Sequence, residues 1–296
     1  MTFQILQPIT LTTNDVAFTN ATTTSETAWS AGTYASGTKR YLGMILYQVS
    51  TNVTNTTNSP PHADWNDIGY IDPYKCFDGK SGTLTSSSGT NTGFTLTVES
   101  TQPINGAAFL GIDAETLTVT MTDDIEGEVY SHTESLLEDV ENWWQYFFLP
   151  YNQKTDVILT DLPNYTGATI EVEVTRTSGK SYLGEAAFGQ LRTLGLTQFG
   201  ASASIQDYSR KTTDADGNYI IETRPYSKRA SYDVQLETVN FSLVHKYLSE
   251  IRTTPCVFIG DPTQPALIVY GFFRSFNMIL SNPVLCSCSI EVEGLA

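Results

Sequence analysis

The residues of this chain that could do chemistry are three histidines, thirty-two carboxylates and four cysteines. His62, His132 and His245 stand far apart, and none falls in a His-Glu-x-x-His pattern. There is no Gly-x-Ser-x-Gly elbow to expose a nucleophile and no Gly-x-x-x-x-Gly-Lys loop to cradle a phosphate. Paired carboxylates such as Asp123-Asp124 could serve glycoside hydrolysis, which needs two of them across a cleft, but an acidic chain offers such pairs by composition alone. The expectation is a protein that is not an enzyme and that needs no cofactor and no metal. Asp214-Ala-Asp216-Gly217-Asn218 has its glycine too early for a helix–loop–helix calcium site and reads as a hairpin turn. The stretch from Asp113 to Glu141 has ten acids and no Lys or Arg, and reads as a solvated face, with calcium as the alternative. Cys76, Cys256, Cys286 and Cys288 form no Cys-x-x-Cys pair. Cys286 and Cys288 share one face of a strand that Ile290 and Val292 continue, so buried reduced thiols from a reducing cytoplasm are expected.

The elements that would position these groups are mostly strands. Apolar residues alternate at Phe94, Leu96 and Val98, at Leu117, Val119 and Met121, at Ile170, Val172 and Val174, and at Tyr232, Val234 and Leu236. Ser88-Gly89, Glu126-Gly127, Ser178-Gly179 and Asp216-Gly217 punctuate these runs as turns. The spacing predicts a helix over Asn240 to Arg252, with Leu243, Tyr247, Leu248 and Ile251 on its buried face and Asn240 or Ser242 as cap. Leu136 to Phe148 also fits helical spacing, yet Trp-Trp-Gln-Tyr-Phe-Phe is strand-rich in composition, so a short helix followed by a strand is expected there.

Charge narrows the function classes. The 296 residues carry a net charge of −16. That balance opposes sequence-independent binding to nucleic acid and docking on anionic lipid, since both need basic charge. The longest apolar run, Ala266 to Phe273, is strand-sized and too short for a membrane span, and the first residues show no secretory pattern. Residues 1–180 hold 21 acids and 7 bases, whereas 181–296 hold 11 and 9, which places a boundary near Gly179-Lys180.

Residues 28–69 run Ala28-Trp29-Ser-Ala-Gly32-Thr-Tyr34-Ala-Ser-Gly37, then Tyr47, Pro60-Pro61, Trp65 and Ile68-Gly69. This order resembles the small three-stranded chitin-binding modules of bacterial glycosidases. The resemblance marks Trp29, Tyr34 and Trp65 as candidate carbohydrate-binding residues. Those modules carry exposed aromatics just after the position of Tyr47, where this chain has Ser50-Thr51-Asn52, so Trp29 and Trp65 read first as scaffold. The next segment, Ile71-Asp-Pro-Tyr-Lys-Cys-Phe77-Asp78-Gly79-Lys80-Ser-Gly-Thr83, resembles a segment of structural proteins in tailed-phage virions. Gly184-Glu185, Gly189, Gly195, Gly200, Ser227-Lys228, Tyr232 and the closing Ser289 to Leu295 are similar to the last domain of that group.

The resemblance implies a mainly β protein in four parts. Residues 1–27 would be an N-terminal strand and linker, 28–70 the small module, 71–180 a galactose-binding-like β-sandwich, and 181–296 a tail-tube-like β domain with one helix. It further implies a baseplate or tail-tip protein of a long-tailed phage, made in the host cytoplasm and located in the virion. Its partners would be copies of itself in a ring around the tail axis and other tail-tip or baseplate proteins. The alternative is an adhesin that touches a host glycan through the aromatic module.

Overall fold

The computed structural model describes residues 1–80, 82–137, 143–148, 153–214 and 217–295. The chain is mainly β. The first part holds β1 (Thr2–Pro8), β2 (Val16–Thr19), β3 (Gly32–Tyr34), β4 (Lys39–Leu42), β5 (Ile45–Val49), β6 (Val53–Thr56) and β7 (Trp65–Tyr70). A 3-10 turn over Asp72–Phe77 leads to β8 (Thr85–Ser86), β9 (Gly93–Glu99), β10 (Gly106–Leu110), β11 (Thr116–Asp123) and β12 (Gly127–Ser135). Then come α1 (Trp143–Phe148), β13 (Val157–Leu159), β14 (Thr169–Thr175), β15 (Tyr182–Leu183), β16 (Glu185–Thr197), β17 (Ser202–Asp207), β18 (Arg210–Thr213) and β19 (Tyr219–Glu222). The last part holds β20 (Tyr226–Glu237), α2 (Phe241–Glu250), β21 (Cys256–Ile259), β22 (Ile268–Ile279) and β23 (Leu285–Gly294).

A nine-stranded sheet, in the order β13-β10-β16-β1-β21-β22-β23-β20-β17, is the spine of the molecule. β16 is long enough to pair with β10 near its start and with β20 near its end, through Leu196↔Gln235 and Thr197↔Val234. That second pairing joins β16, β1, β21, β22, β23 and β20 into a closed ring of pairings. Closure satisfies backbone groups that an open sheet would leave bare at its edges. The ring encloses Phe3, Ile5, Tyr232, Val234, Phe258 and Cys288, and α2 packs Val244, Tyr247 and Leu248 onto the same core.

The other end of the spine faces the five-stranded sheet β12-β11-β14-β9-β2. The alternating residues of β9, β11 and β14 point inward and meet Phe109, Val157, Leu159 and Phe188 from the spine. Each such Leu, Val, Ile or Phe contributes roughly 1.5–3 kcal/mol by leaving water. Period-two patterning is thus converted directly into a sandwich core. The four free cysteines are buried, and burial pushes the Cys76 and Cys256 thiols up to about 12.

Three expectations need correction. The stripe of α2 is Val244, Tyr247, Leu248 and Ile251, while Leu243 is exposed. Val244 stands three, four and seven residues before the others, which closes the helical repeat better than Leu243 does. Neither Asn240 nor any other side chain caps the helix, because a 3-10 turn over Thr238–Asn240 precedes it. Trp143–Phe148 is helical despite its strand-rich composition; residues 138–142 and 149–152, where the rest of that element would fall, lie outside the described residues. β18 and β19 pair antiparallel up to Thr213↔Tyr219, and the Asp214 N–H donates to the Asn218 carbonyl, as a hairpin requires; Ala215 and Asp216 lie outside the described residues. Residues 1–27 hold a second strand, β2, in the five-stranded sheet, and the spine draws strands from both sides of residue 180.

One close approach fixes β1 in the spine. A Cβ at Gly189 would lie 1.9 Å from the Gln7 carbonyl oxygen. Only glycine lets β16 and β1 pair this tightly. Gly189→Ala is therefore expected to separate the strands at that point and destabilise the fold by about 1–3 kcal/mol, as overpacking does. A thermal melt checks this: Tm should fall by several degrees, and an unchanged melt would contradict the packing described.

Candidate interaction surfaces and buried carboxyl

The aromatic module is built from β3–β6 and from β4–β5–β7. Its core is Tyr34, Tyr47, Val49 and Trp65, all buried. The rings of Tyr34 and Trp65 meet edge to face at 5.4 Å. The Trp65 indole donates to the Asn58 carbonyl at 3.2 Å, and the Tyr34 hydroxyl donates to the Ser30 carbonyl. The Arg40 guanidinium lies over the Tyr34 ring, 5.2 Å from its centre. Trp29 is half-buried and packs against this cluster. The structure brings all three candidate residues together, with Tyr34 and Trp65 facing into the module and Trp29 at its margin.

Five of the described acids in the acidic stretch have local partners. Asp113 pairs with Arg176, Glu115 accepts from Thr177, and Glu134 pairs with Lys154. Asp123 accepts the backbone N–H groups of Ile125 and Glu126, while Glu126 accepts from Tyr165. Glu138, Asp139 and Glu141 lie outside the described residues. Among the described residues no group of three or more His, Cys, Asp or Glu is placed to hold a metal ion. His62 sits 3.0 Å from Asp64, His132 sits 3.7 Å from Glu134, and His245 packs edge-on against Phe276.

Much apolar surface is left uncovered. The helix α1 exposes Trp143, Trp144, Phe147 and Phe148, with Trp143 at 79%. At the free edge of the spine, β17 and the β18–β19 hairpin expose Ile205, Tyr208, Tyr219, Ile220 and Ile221. Phe199, in the turn before β17, is 93% exposed. A third surface lies where the β22–β23 turn meets the start of α2. There the Thr238 N–H donates to the Val284 carbonyl. Val239, Leu243, Ile279, Leu280 and Val284 are all exposed, Val239 at 90%. One signal was readable in principle: Tyr219-Ile-Ile221 breaks the alternation, so the hairpin has apolar residues on both faces.

The burial of the Glu185 carboxyl is the other feature that the sequence patterns did not indicate. Glu185 opens β16 opposite Leu110 and is 6% exposed. It accepts from the Tyr270 hydroxyl at 3.0 Å and from the Gly79 N–H at 3.1 Å, which ties the Phe77-Asp78-Gly79 segment to the spine. Burial pushes its pKa up to about 8; the two donors pull the other way, and the Asp78 charge adds to the rise. A carboxyl whose folded pKa is raised stabilises the fold while protonated. That contribution is complete below the ordinary carboxylate pKa and is lost as pH rises through about 8. Tm is expected to fall across this window, and Glu185→Gln, which cannot ionise, should flatten the fall. A variant with the same pH profile as the parent would contradict the assignment.

No family model matches the chain, and no curated protein matches its sequence.

Proposed function

We propose that this chain is a non-catalytic virion structural protein of a long-tailed phage, built into the baseplate or tail tip through contacts with copies of itself and with neighbouring tail proteins. The observation that carries this reading is the exposed apolar surface along the C-terminal strands. Monomeric proteins rarely leave contiguous apolar surface uncovered, and such surface marks interaction sites. Here it lies at the free edge of the spine and at the β22–β23 turn, on the part of the chain with almost balanced charge. Copies of that part repel one another little, so a ring can close without a large electrostatic cost. The order of motifs, which resembles that of tailed-phage structural proteins, is the ground for the biological setting of this reading.

Sedimentation of the full chain tests the assembly role. The parent is expected to form a discrete oligomer at high concentration. The triple variant Val239→Asp, Leu243→Asp, Val284→Asp should remain monomeric with an unchanged melt, since all three side chains are exposed. A parent that stays monomeric at every concentration and with tail proteins present would refute the role.

A glycan-binding adhesin is the second reading. It is favoured only by Trp29, which the module leaves half-exposed. Retention on a glycan array that disappears in Trp29→Ala would move the reading in that direction.

A further inference from the structure

We propose that the cleft between the start of β16, the start of β22 and Gly294-Leu295 is a binding site for an aliphatic primary amine. The proposal stands apart from the assembly role and rests on different residues. The cleft has a volume of about 370 Å³, which is within the usual size of small-ligand sites. Its walls are apolar, formed by Leu110, Ile268, Val269 and Leu295. Glu185 and Tyr270 line it as well, and both also line the neighbouring cavity beside Asp78 and Gly79.

The polar groups decide the ligand class. Both hydrogen-bond partners of Glu185, the Tyr270 hydroxyl and the Gly79 N–H, are neutral, and among the described residues no cation pairs with it. The cation that lines the cleft, Lys228, is engaged by Asp156 at 2.8 Å. Asp156 in turn accepts the Gly111 N–H at 3.3 Å. A buried carboxyl without a counter-charge is costly to ionise, so a ligand that brings a positive charge gains what the protein lacks. A guanidinium requires two parallel acceptors, and each Glu185 oxygen already accepts one bond. A compact ammonium needs only one remaining lone pair. The apolar walls then suit an unbranched alkyl stem. Free alkylamines and the lysine side chain of a partner share this chemistry.

Binding should be linked to a proton. Glu185 holds its proton up to about pH 8, whereas the amine pairs with the ionised form. Affinity should therefore weaken as pH falls below 8, by up to about tenfold per unit. The other titratable groups facing Glu185 are Asp78, Tyr270, Tyr70 and Cys76, the last three pushed up by burial. Lys228 and Asp156 face the cleft as an ion pair.

Calorimetry on the full chain with pentylamine tests this, using 1-pentanol as the neutral probe of the same length. Pentylamine is expected to bind at least tenfold more tightly than pentanol at pH 8, to weaken toward pH 6, and to lose that advantage in Glu185→Gln. Tyr270→Phe keeps the carboxyl and should keep the preference for the amine, which guards against a Glu185 variant that fails to fold. Nα-acetyl-lysine methylamide separates the sources: tighter binding than pentylamine assigns the site to a partner's lysine, and weaker binding assigns it to a free amine. Equal binding of amine and alcohol, an unaffected Glu185→Gln, or no binding of pentylamine would overturn the proposal.

Discussion

Replacing Trp65 with Ala is expected to unfold residues 28–70 while the spine and the sandwich stay folded. The module's own core is four buried side chains, and Trp65 is the largest of them. Truncating a buried Trp typically costs about 3–5 kcal/mol. A unit of this size buries too little surface to absorb that loss. The replacement also removes the Trp65–Asn58 hydrogen bond and the edge contact with Tyr34. The damage should remain local, because this core is separate from the clusters of the sandwich and the spine. Limited proteolysis reads the outcome: new cleavage should appear between residues 50 and 64, with a protected remainder. Unchanged resistance in the Trp65 variant would mean the indole is not what holds the module.

Cutting the chain after Lys180 should have a larger effect. The cut removes β16, β17, β20, β21, β22 and β23 from the nine-stranded sheet. β1 loses the partners on both its sides, and β10 keeps only β13. Phe188 and Ala186 leave the sandwich core, which exposes Phe109 and Leu159. The fragment 1–180 is therefore expected to be unfolded or aggregated, with near-UV circular dichroism lost. A soluble, cooperatively melting fragment would show that the charge shift at residue 180 is also a folding boundary.

These two cases show what a sequence can and cannot carry. The alternation at Phe94–Val98, Leu117–Met121 and Ile170–Val174 is a local signal, and each run became a strand facing one core. Cys286, Cys288, Ile290 and Val292 likewise line one buried face, as their spacing requires. The place of β1 is different. It pairs with residues 189–196 and 257–259, and nothing within Thr2–Pro8 encodes partners so distant. The two resemblances divided the chain in linear order, whereas the spine is assembled from segments on both sides of that division. The Trp-rich stretch failed for another reason. Its composition matches that of a buried strand, and composition does not distinguish a ring in a core from a ring left in water. Trp29, Tyr34 and Trp65 were singled out by their order, but burial of Tyr34 and Trp65 depends on the segment over residues 50–64, β6 included, that brings β7 back onto β5. Gly184-Glu185 stood in the resemblance only as part of a Gly-rich stretch, with no chemical role for the carboxyl. Its environment comes from Gly79 and Tyr270, which lie far from it in the chain and are brought together only by the sheet.

The proposed assembly role is tested most directly by electron cryo-microscopy of the virion in which the proposal places this chain. Density for several copies is expected in a closed ring at the end of the tail, with Val239, Leu243 and Val284 buried against a neighbour. A particle whose tail tip contains no copy of the chain, or one in which these side chains remain in solvent, would contradict it.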